Sequence, residues 1–178
     1  MSSNMGTPEI QSPFLLHPKL SRQGRSKPKV LIAEDELMIA DMIEEILVEH
    51  GYEVCGIART VPEGIALGRL HKPHLAVLDL RLADAGLGTE IAAELGRCFP
   101  IGVLYATGNR AQLAGCGAEG DACLMKPYRS VDLLRGLEIV YELLRTGKAS
   151  RPYPQGFQLL PLAGPVPQAP VRKAFRHG

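Results

Sequence analysis

Val30-Leu31-Ile32-Ala33-Glu34-Asp35-Glu36 is an apolar run that breaks off into three successive carboxylates. It shows no polar alternation, which suits a strand buried on both faces of a parallel sheet. Four runs of the same kind follow: Val54-Cys55-Gly56-Ile57-Ala58, Leu75-Ala76-Val77-Leu78, Ile101-Gly102-Val103-Leu104-Tyr105-Ala106 and Ala122-Cys123-Leu124-Met125. Between the first two, Ile39, Met42, Ile43, Ile46 and Leu47 recur at the spacing of one helix face, and Gly51 supplies a stop. Further helices are expected at about 61–71, 88–97 and 130–146, the last with Ser130 as its N-cap. Five β-α units predict an α/β sheet covered by helices on both sides. The segment 108–120 is the weak place, because Gly108, Gly115, Gly117 and Gly120 disfavour a sturdy fourth helix.

Outside these units the composition changes. The 178 residues carry Lys+Arg 20 against Asp+Glu 19, a net charge of +1, and 46% are hydrophobic, enough for one ordinary domain. That +1 is a sum of unlike parts. Residues 1–28 hold four basic side chains and one acid, residues 149–178 hold four and none, and the middle holds 12 basic against 18 acidic. Ten of the 14 prolines also fall in the two ends. An acidic domain is therefore expected over 29–147, between basic, extended tails at 1–28 and 148–178. No stretch approaches the roughly 20 apolar residues of a membrane helix, and no signal-peptide run opens the chain. The four cysteines form no Cys-x-x-Cys pair, so buried reduced thiols in a cytoplasmic protein are expected rather than a disulfide or zinc framework.

Charged residues stand where core strands end: Glu34-Asp35-Glu36 after the first, Asp79 after the third and Lys126 after the fifth. Sites in open α/β sheets form outside those carboxyl ends. Glu34 or Asp35 together with Asp79 would make a self-repelling carboxylate cluster, which a hard cation such as Mg²⁺ relieves while leaving room for a phosphate oxygen. Lys126 brings a positive charge to the same rim, Thr107 a hydroxyl donor, and Gly108 close access to the backbone. The chemistry that uses this set is phosphoryl transfer to a carboxylate, with Asp79 as nucleophile and Lys126 and Thr107 on the phosphoryl oxygens.

Val30-Leu31-Ile32-Ala33-Glu34-Asp35-Glu36, Leu75-Ala76-Val77-Leu78-Asp79-Leu80, Tyr105-Ala106-Thr107-Gly108 and Leu124-Met125-Lys126-Pro127-Tyr128 together resemble the receiver domain of two-component response regulators. The resemblance implies a flavodoxin-like, doubly wound, five-stranded parallel sheet of order 2-1-3-4-5. It implies that Asp79 is the phospho-acceptor, served by a histidine kinase or a phosphotransfer protein. Mg²⁺ would be held by Asp35, supported by Glu34, Asp79 and the backbone carbonyl of Arg81, and the Lys126–Pro127 bond would be cis. A receiver is not an enzyme on a separate substrate; it assists its own phosphorylation and dephosphorylation, with Arg81 and Asn109 at positions expected to tune hydrolysis.

Three departures stand out. Cys123 occupies the place of the usual switch Tyr or Phe, three residues before Lys126. Leu82-Ala83-Asp84-Ala85-Gly86 lacks the proline usual four residues after the acceptor, and Thr107 and Lys126 lie 19 positions apart, a few fewer than usual. Together with Tyr105-Ala106-Thr107-Gly108 these resemble the atypical subgroup whose fourth strand ends in Phe-Ala-Thr-Gly. That subgroup includes stand-alone receivers and those of alphaproteobacterial stress-response regulators. With about 31 residues after the last helix, six of them proline, no DNA-binding output domain is expected. A stand-alone receiver would signal through phosphorylation-dependent protein contacts, with 108–120 as the switch, or else act as a phosphate shuttle or sink.

The last helix offers Leu133, Leu134, Leu137, Val140, Tyr141 and Leu144 as a core face. Ile139 and Leu143 widen its apolar stripe and suggest a homodimer through this helix. Other chemistries fit worse. A haloacid-dehalogenase-type phosphatase needs a second Asp where Arg81 stands. Gly86-Leu87-Gly88 lacks the third glycine of a dinucleotide fingerprint, because Ile91 sits there. His71 and His74, around Lys72-Pro73, read as ordinary surface histidines rather than a metal pair.

Overall fold

A computed structural model describes residues 28–108 and 120–161. Six strands form one sheet of order β2-β1-β3-β4-β5-β6. The five expected strands are β1 (Lys29–Ala33), β2 (Glu53–Ala58), β3 (Leu75–Asp79), β4 (Gly102–Thr107) and β5 (Ala122–Met125), all parallel, in the order 2-1-3-4-5. Helices α1 (Leu37–Glu49), α2 (Val61–His71), α3 (Gly88–Gly96) and α4 (Ser130–Thr146) connect or follow them. The segment 109–119, expected to hold a weak fourth helix and the switch, lies outside the described residues, as do Asn109 and Cys116. No helix among the described residues is long and apolar enough to cross a membrane.

The period-2 geometry of each strand divides the apolar runs between two cores. Val30, Ile32, Leu75, Val77, Leu104, Ala106, Ala122 and Leu124 pack with Ile43 and Leu47 of α1 and with Leu133, Leu137 and Val140 of α4. Leu31, Ala33, Ala76, Leu78, Val103, Tyr105 and Cys123 face Val61 of α2 and Ile91 and Leu95 of α3. Continuous apolar strands are thus required, because both faces are covered.

Local chemistry sets the element ends. The hydroxyl of Thr60, the N-cap, accepts from the Glu63 N–H at 3.4 Å while the Glu63 carboxylate accepts from the N–H of the preceding Arg59 at 2.8 Å, and the two bonds open α2. Gly51, at φ +84°, takes the left-handed turn after α1. The N-cap of α4 is Arg129 rather than Ser130, which is the first helical residue. Asp132 decides this: it accepts two bonds from the Arg129 guanidinium, at 2.7 and 3.0 Å, and lies 3.4 Å from the Arg129 N–H.

Two departures from the expected pattern concern exposure. Met42, assigned to the buried face of α1, is 46% exposed, whereas Ala40 takes a buried place. Cys123 is buried and Cys55 half-buried, but Cys98 is exposed.

The largest difference lies after α4. The proline-rich segment expected to be a tail from residue 148 carries a sixth strand, β6 (Phe157–Leu159), antiparallel to β5. Phe157 is buried in the α1/α4 core, with Ala149, Tyr153 and Leu159 packed against it. Proline at 152 and 154 is compatible with this path because those residues precede the strand and make no ladder bond. The sixth strand also bears on the apolar width of α4: Ile139 is fully buried within the domain and is not part of a free face.

Candidate functional site

The carboxyl ends of β1, β3, β4 and β5 are held level by register: Ala33 pairs with Leu78, Asp79 with Ala106, and Thr107 with Met125. The residue after each strand end therefore reaches the same rim. Glu34 follows β1 and is 2% exposed, its N–H bonded to the Ala58 carbonyl at 2.9 Å. Asp35 continues outward. The Glu36 carbonyl accepts from the Ile39 and Ala40 N–H groups at 3.0 Å, which starts α1 and turns the chain away. One carboxylate oxygen from each of Glu34, Asp35 and Asp79 lies within 4.8 Å of the others, the only such cluster among the described residues.

Lys126 closes the set. Its N–H donates to the Thr107 carbonyl at 2.8 Å, which fixes the start of the β5–α4 loop. Its ammonium donates to Glu34 Oε2 and to Asp79 Oδ2, each at 2.6 Å, and its side chain is 21% exposed. The Lys126–Pro127 peptide is cis. Burial opposes the charge on Lys126, but its bonds to Asp79 and Glu34 outweigh that and hold its pKa above the ordinary lysine value. Burial pushes the Glu34 carboxyl up, against the downward pull of Lys126. A cation held between two carboxylates leaves the pocket with one positive charge against three negative ones, a donor set of hard oxygens suited to a divalent cation.

Thr107 is 2% exposed at the end of β4, beside Lys126, and a Cβ on Gly108 would meet no atom of the described residues within 4 Å. The Arg81 N–H donates to Asp79 Oδ1 at 3.3 Å, and Arg81 bridges to Leu87 across the loop. In place of the usual proline this loop turns through Asp84 at φ +59° and Ala85 at φ +58°, two consecutive non-glycine residues in the left-handed region. Gly88 brings α3 against Asp79: a Cβ there would lie 2.1 Å from the Asp79 carbonyl oxygen. All six sequence-assigned residues (Glu34, Asp35, Asp79, Arg81, Thr107 and Lys126) thus lie at this rim. His74 lies elsewhere: its Nδ1 accepts the Lys29 N–H at 3.0 Å, so the imidazole secures the start of β1.

Two residues at the site escaped the sequence reading. Arg59 donates from Nε to the Asp35 carbonyl at 3.3 Å, and its own carbonyl accepts the Ala83 N–H at 3.0 Å, tying together the loops after β1, β2 and β3. A lone arginine after an apolar run gives no signal of this. Tyr128 packs its ring against the α1/α4 core, and its hydroxyl is buried with no hydrogen-bond partner among the described residues. Burial pushes its pKa up to about 12, with Lys126, Glu34 and Asp79 close enough to act on it. The Lys-Pro-Tyr run named the residue but not its orphaned hydroxyl.

No family model matches the chain. Its relatives do. The transcriptional regulatory protein PdtaR of Mycobacterium tuberculosis (strain CDC 1551 / Oshkosh) is 36% identical over 120 residues, covering 66% of this chain and 58% of that protein. The phyllosphere-induced regulator PhyR of Methylorubrum extorquens is 30% identical over 107 residues, covering 59% of this chain and 40% of that protein. The chain thus spans about half the length of these curated relatives. Among solved structures, a CheY-like response regulator receiver domain protein from Methanospirillum hungatei JF-1 superposes with a TM-score of 0.62 at 30% identity. The match covers 69% of this chain and 100% of that one.

Proposed function

The chain belongs to the response-regulator receiver family, and from that premise we propose that it accepts a phosphoryl group on Asp79 and signals by phosphorylation-dependent protein contacts. The proposed donor class is a phosphohistidine on a histidine kinase or phosphotransfer protein, and the proposed location is the cytoplasm. A carboxylate oxygen of Asp79 attacks phosphorus, the histidine N–P bond breaks, and the imidazole nitrogen keeps the electron pair. The observation that carries this reading is the Lys126 ammonium, 2.6 Å from both Asp79 and Glu34.

Lys126 has two acidic partners at rest, so it can follow charge that develops on the transferred group while Glu34 still neutralises it in part. Thr107, beside it on β4, is the residue assigned to a phosphoryl oxygen. Glu34, Asp35 and Asp79, with the Arg81 carbonyl, would hold a Mg²⁺ ion. When bound, that ion supplies charge neutralisation for the incoming phosphoryl oxygens. Arg59 holds the Asp35 main chain at the rim through its carbonyl, and the Arg81 N–H holds the Asp79 carboxylate. In this reading the chain turns over no separate substrate; the acceptor is its own side chain.

The test is phosphoryl incorporation from a phosphorylated histidine kinase, read as intact mass. Wild type should gain one phosphoryl group and Asp79→Asn none. Labelling of Asp79→Asn at the wild-type rate would remove Asp79 from the role. Phosphorylation-dependent capture of a non-kinase protein separates signalling from phosphate shuttling.

A further inference from the structure

The segment 149–160 is held in the manner of a bound peptide. Phe157, Gln158 and Leu159 pair antiparallel with Leu124, Cys123 and Ala122. At one end the Met125 N–H donates to the Gly156 carbonyl at 3.1 Å; at the other the Leu160 N–H donates to the Asp121 carbonyl at 2.9 Å. Upstream, the Arg135 guanidinium donates to the carbonyls of Ser150 and Pro152, at 3.0 and 3.3 Å, and Glu142 accepts the Ser150 N–H at 3.1 Å. Asp132 accepts a backbone bond from Gln155. Most of these contacts read main chain, not side chain.

Side-chain reading is concentrated in one aromatic anchor. Phe157 is 9% exposed and lies over Gly136 of α4, where a Cβ would come within 3.4 Å of the ring and 3.2 Å of Leu104. Tyr153 packs on it with ring centroids 5.4 Å apart. Gly156, at φ +76°, lets the turn approach Met125, since a Cβ there would stand 3.2 Å from the Met125 Cβ. Main-chain bonds for affinity and one apolar notch for specificity are the attributes of strand addition to a sheet edge. No other described segment pairs with the outer edge of β5.

We infer that the β5 edge and the adjoining flank of α4 form a strand-receiving surface, filled in cis by the chain's own 149–160 and open in trans to the same segment of a second copy. That segment fits the groove in register, main-chain pattern and anchor. It is joined to α4 through Gly147, at φ +69°, and the exposed Lys148, whose N–H donates to Thr146 Oγ1 at 3.2 Å. Release would leave an unpaired strand edge beside an empty aromatic notch, a surface that demands a partner. This differs from a dimer through the apolar stripe of α4, because the exchanged strand and not the helix face makes the contact.

The test uses full-length chain and a fluorescent peptide of residues 149–161, read by anisotropy. Phe157→Asp opens the groove, so this variant should bind the peptide saturably and at least about tenfold more tightly than wild type, whose groove is occupied. The same peptide carrying Phe157→Asp should not bind. Absence of saturable binding to the Phe157→Asp chain, or equal binding to both chains, overturns the proposal. A second measurement needs no destabilising change: Gln158→Cys places a thiol opposite Cys123 in register, in a chain with Cys55, Cys98 and Cys116 replaced by Ser. Oxidation at rising concentration should give a growing share of dimers linked from Cys123 of one copy to the introduced thiol of the other. Linkage within single chains at every concentration refutes exchange.

Discussion

Gly88 is the tightest joint between the fold and the site. A methyl group placed there would lie 2.1 Å from the Asp79 carbonyl oxygen, 3.2 Å from its carbonyl carbon and 3.3 Å from the Leu78 Cβ. Those atoms belong to β3 or stand directly on it, so no flexible side chain can swing aside. To reach even 3.0 Å, the start of α3 or the Asp79 peptide must move by about 0.9 Å. Overpacking against backbone costs about 1–3 kcal/mol. A shift near 1 Å at a reacting group costs about 100-fold in rate. Gly88→Ala should therefore lower unfolding stability by about 1–3 kcal/mol and slow phosphoryl incorporation by about 100-fold. Gly96→Ala is the control, because the same methyl at the other end of α3 meets no atom of the described residues within 4 Å. It should be neutral to about 0.5 kcal/mol stabilising, through helix propensity, and phosphorylate normally. Gly64→Ala falls between, since its clash at 2.4 Å is with the Cδ1 terminus of Ile91. Urea unfolding and intact-mass kinetics with a small phosphodonor read both effects. If Gly88→Ala matched Gly96→Ala in both assays, the start of α3 would not be seated on Asp79.

Three further outcomes follow from the pocket and its surroundings. Lys126→Met removes the ammonium from Asp79 and should slow incorporation by about 100-fold, the scale for one charge-stabilising donor, in the same mass assay. Tyr128→Phe deletes a buried hydroxyl with no partner among the described residues, so it should raise urea stability by up to about 1 kcal/mol, where a bonded tyrosine would lose stability. Asp121 has its pKa raised by burial, beyond what its bond from the Val103 N–H offsets. Its contribution is complete below the ordinary value of 3.8 and is lost as pH rises through the folded value. Asp121→Asn should therefore gain on wild type in urea midpoint as pH is raised from about 4 towards 7; a constant difference would contradict the assignment.

The parallel sheet was legible because burial on both faces leaves a one-dimensional signature, the unbroken apolar run, that survives without any partner information. The pocket was legible for the opposite reason: Asp79 and Lys126 stand at the ends of such runs, where a solvated surface position or another apolar residue would otherwise stand. What stayed hidden depends on contacts across sequence. Phe157-Gln158-Leu159 is three residues long, set among prolines, and becomes a strand only because β5 offers it an edge. Ile139 looked surplus on α4 because the periodicity was read without the added core around Phe157. Ser130 looked like a cap by residue type, but Asp132 gives that place to Arg129. Arg59 acts by spanning loops 24 residues apart, from Arg59 to the Asp35 carbonyl, and no local pattern encodes such a reach.

The antiparallel sense of β6 has a mechanical consequence. The chain enters this strand beside Met125, next to the acidic pocket of Glu34, Asp35 and Asp79, and leaves it beside Asp121, at the opposite pole of the sheet. Outward tension applied beyond residue 161 would therefore load the Leu160–Asp121 bond first and peel the strand one pair at a time, from Leu159 back to Phe157. The Gly156–Met125 bond, one residue from Lys126, would break last. Force from that side would be felt at the acidic pocket only after the whole strand had come away.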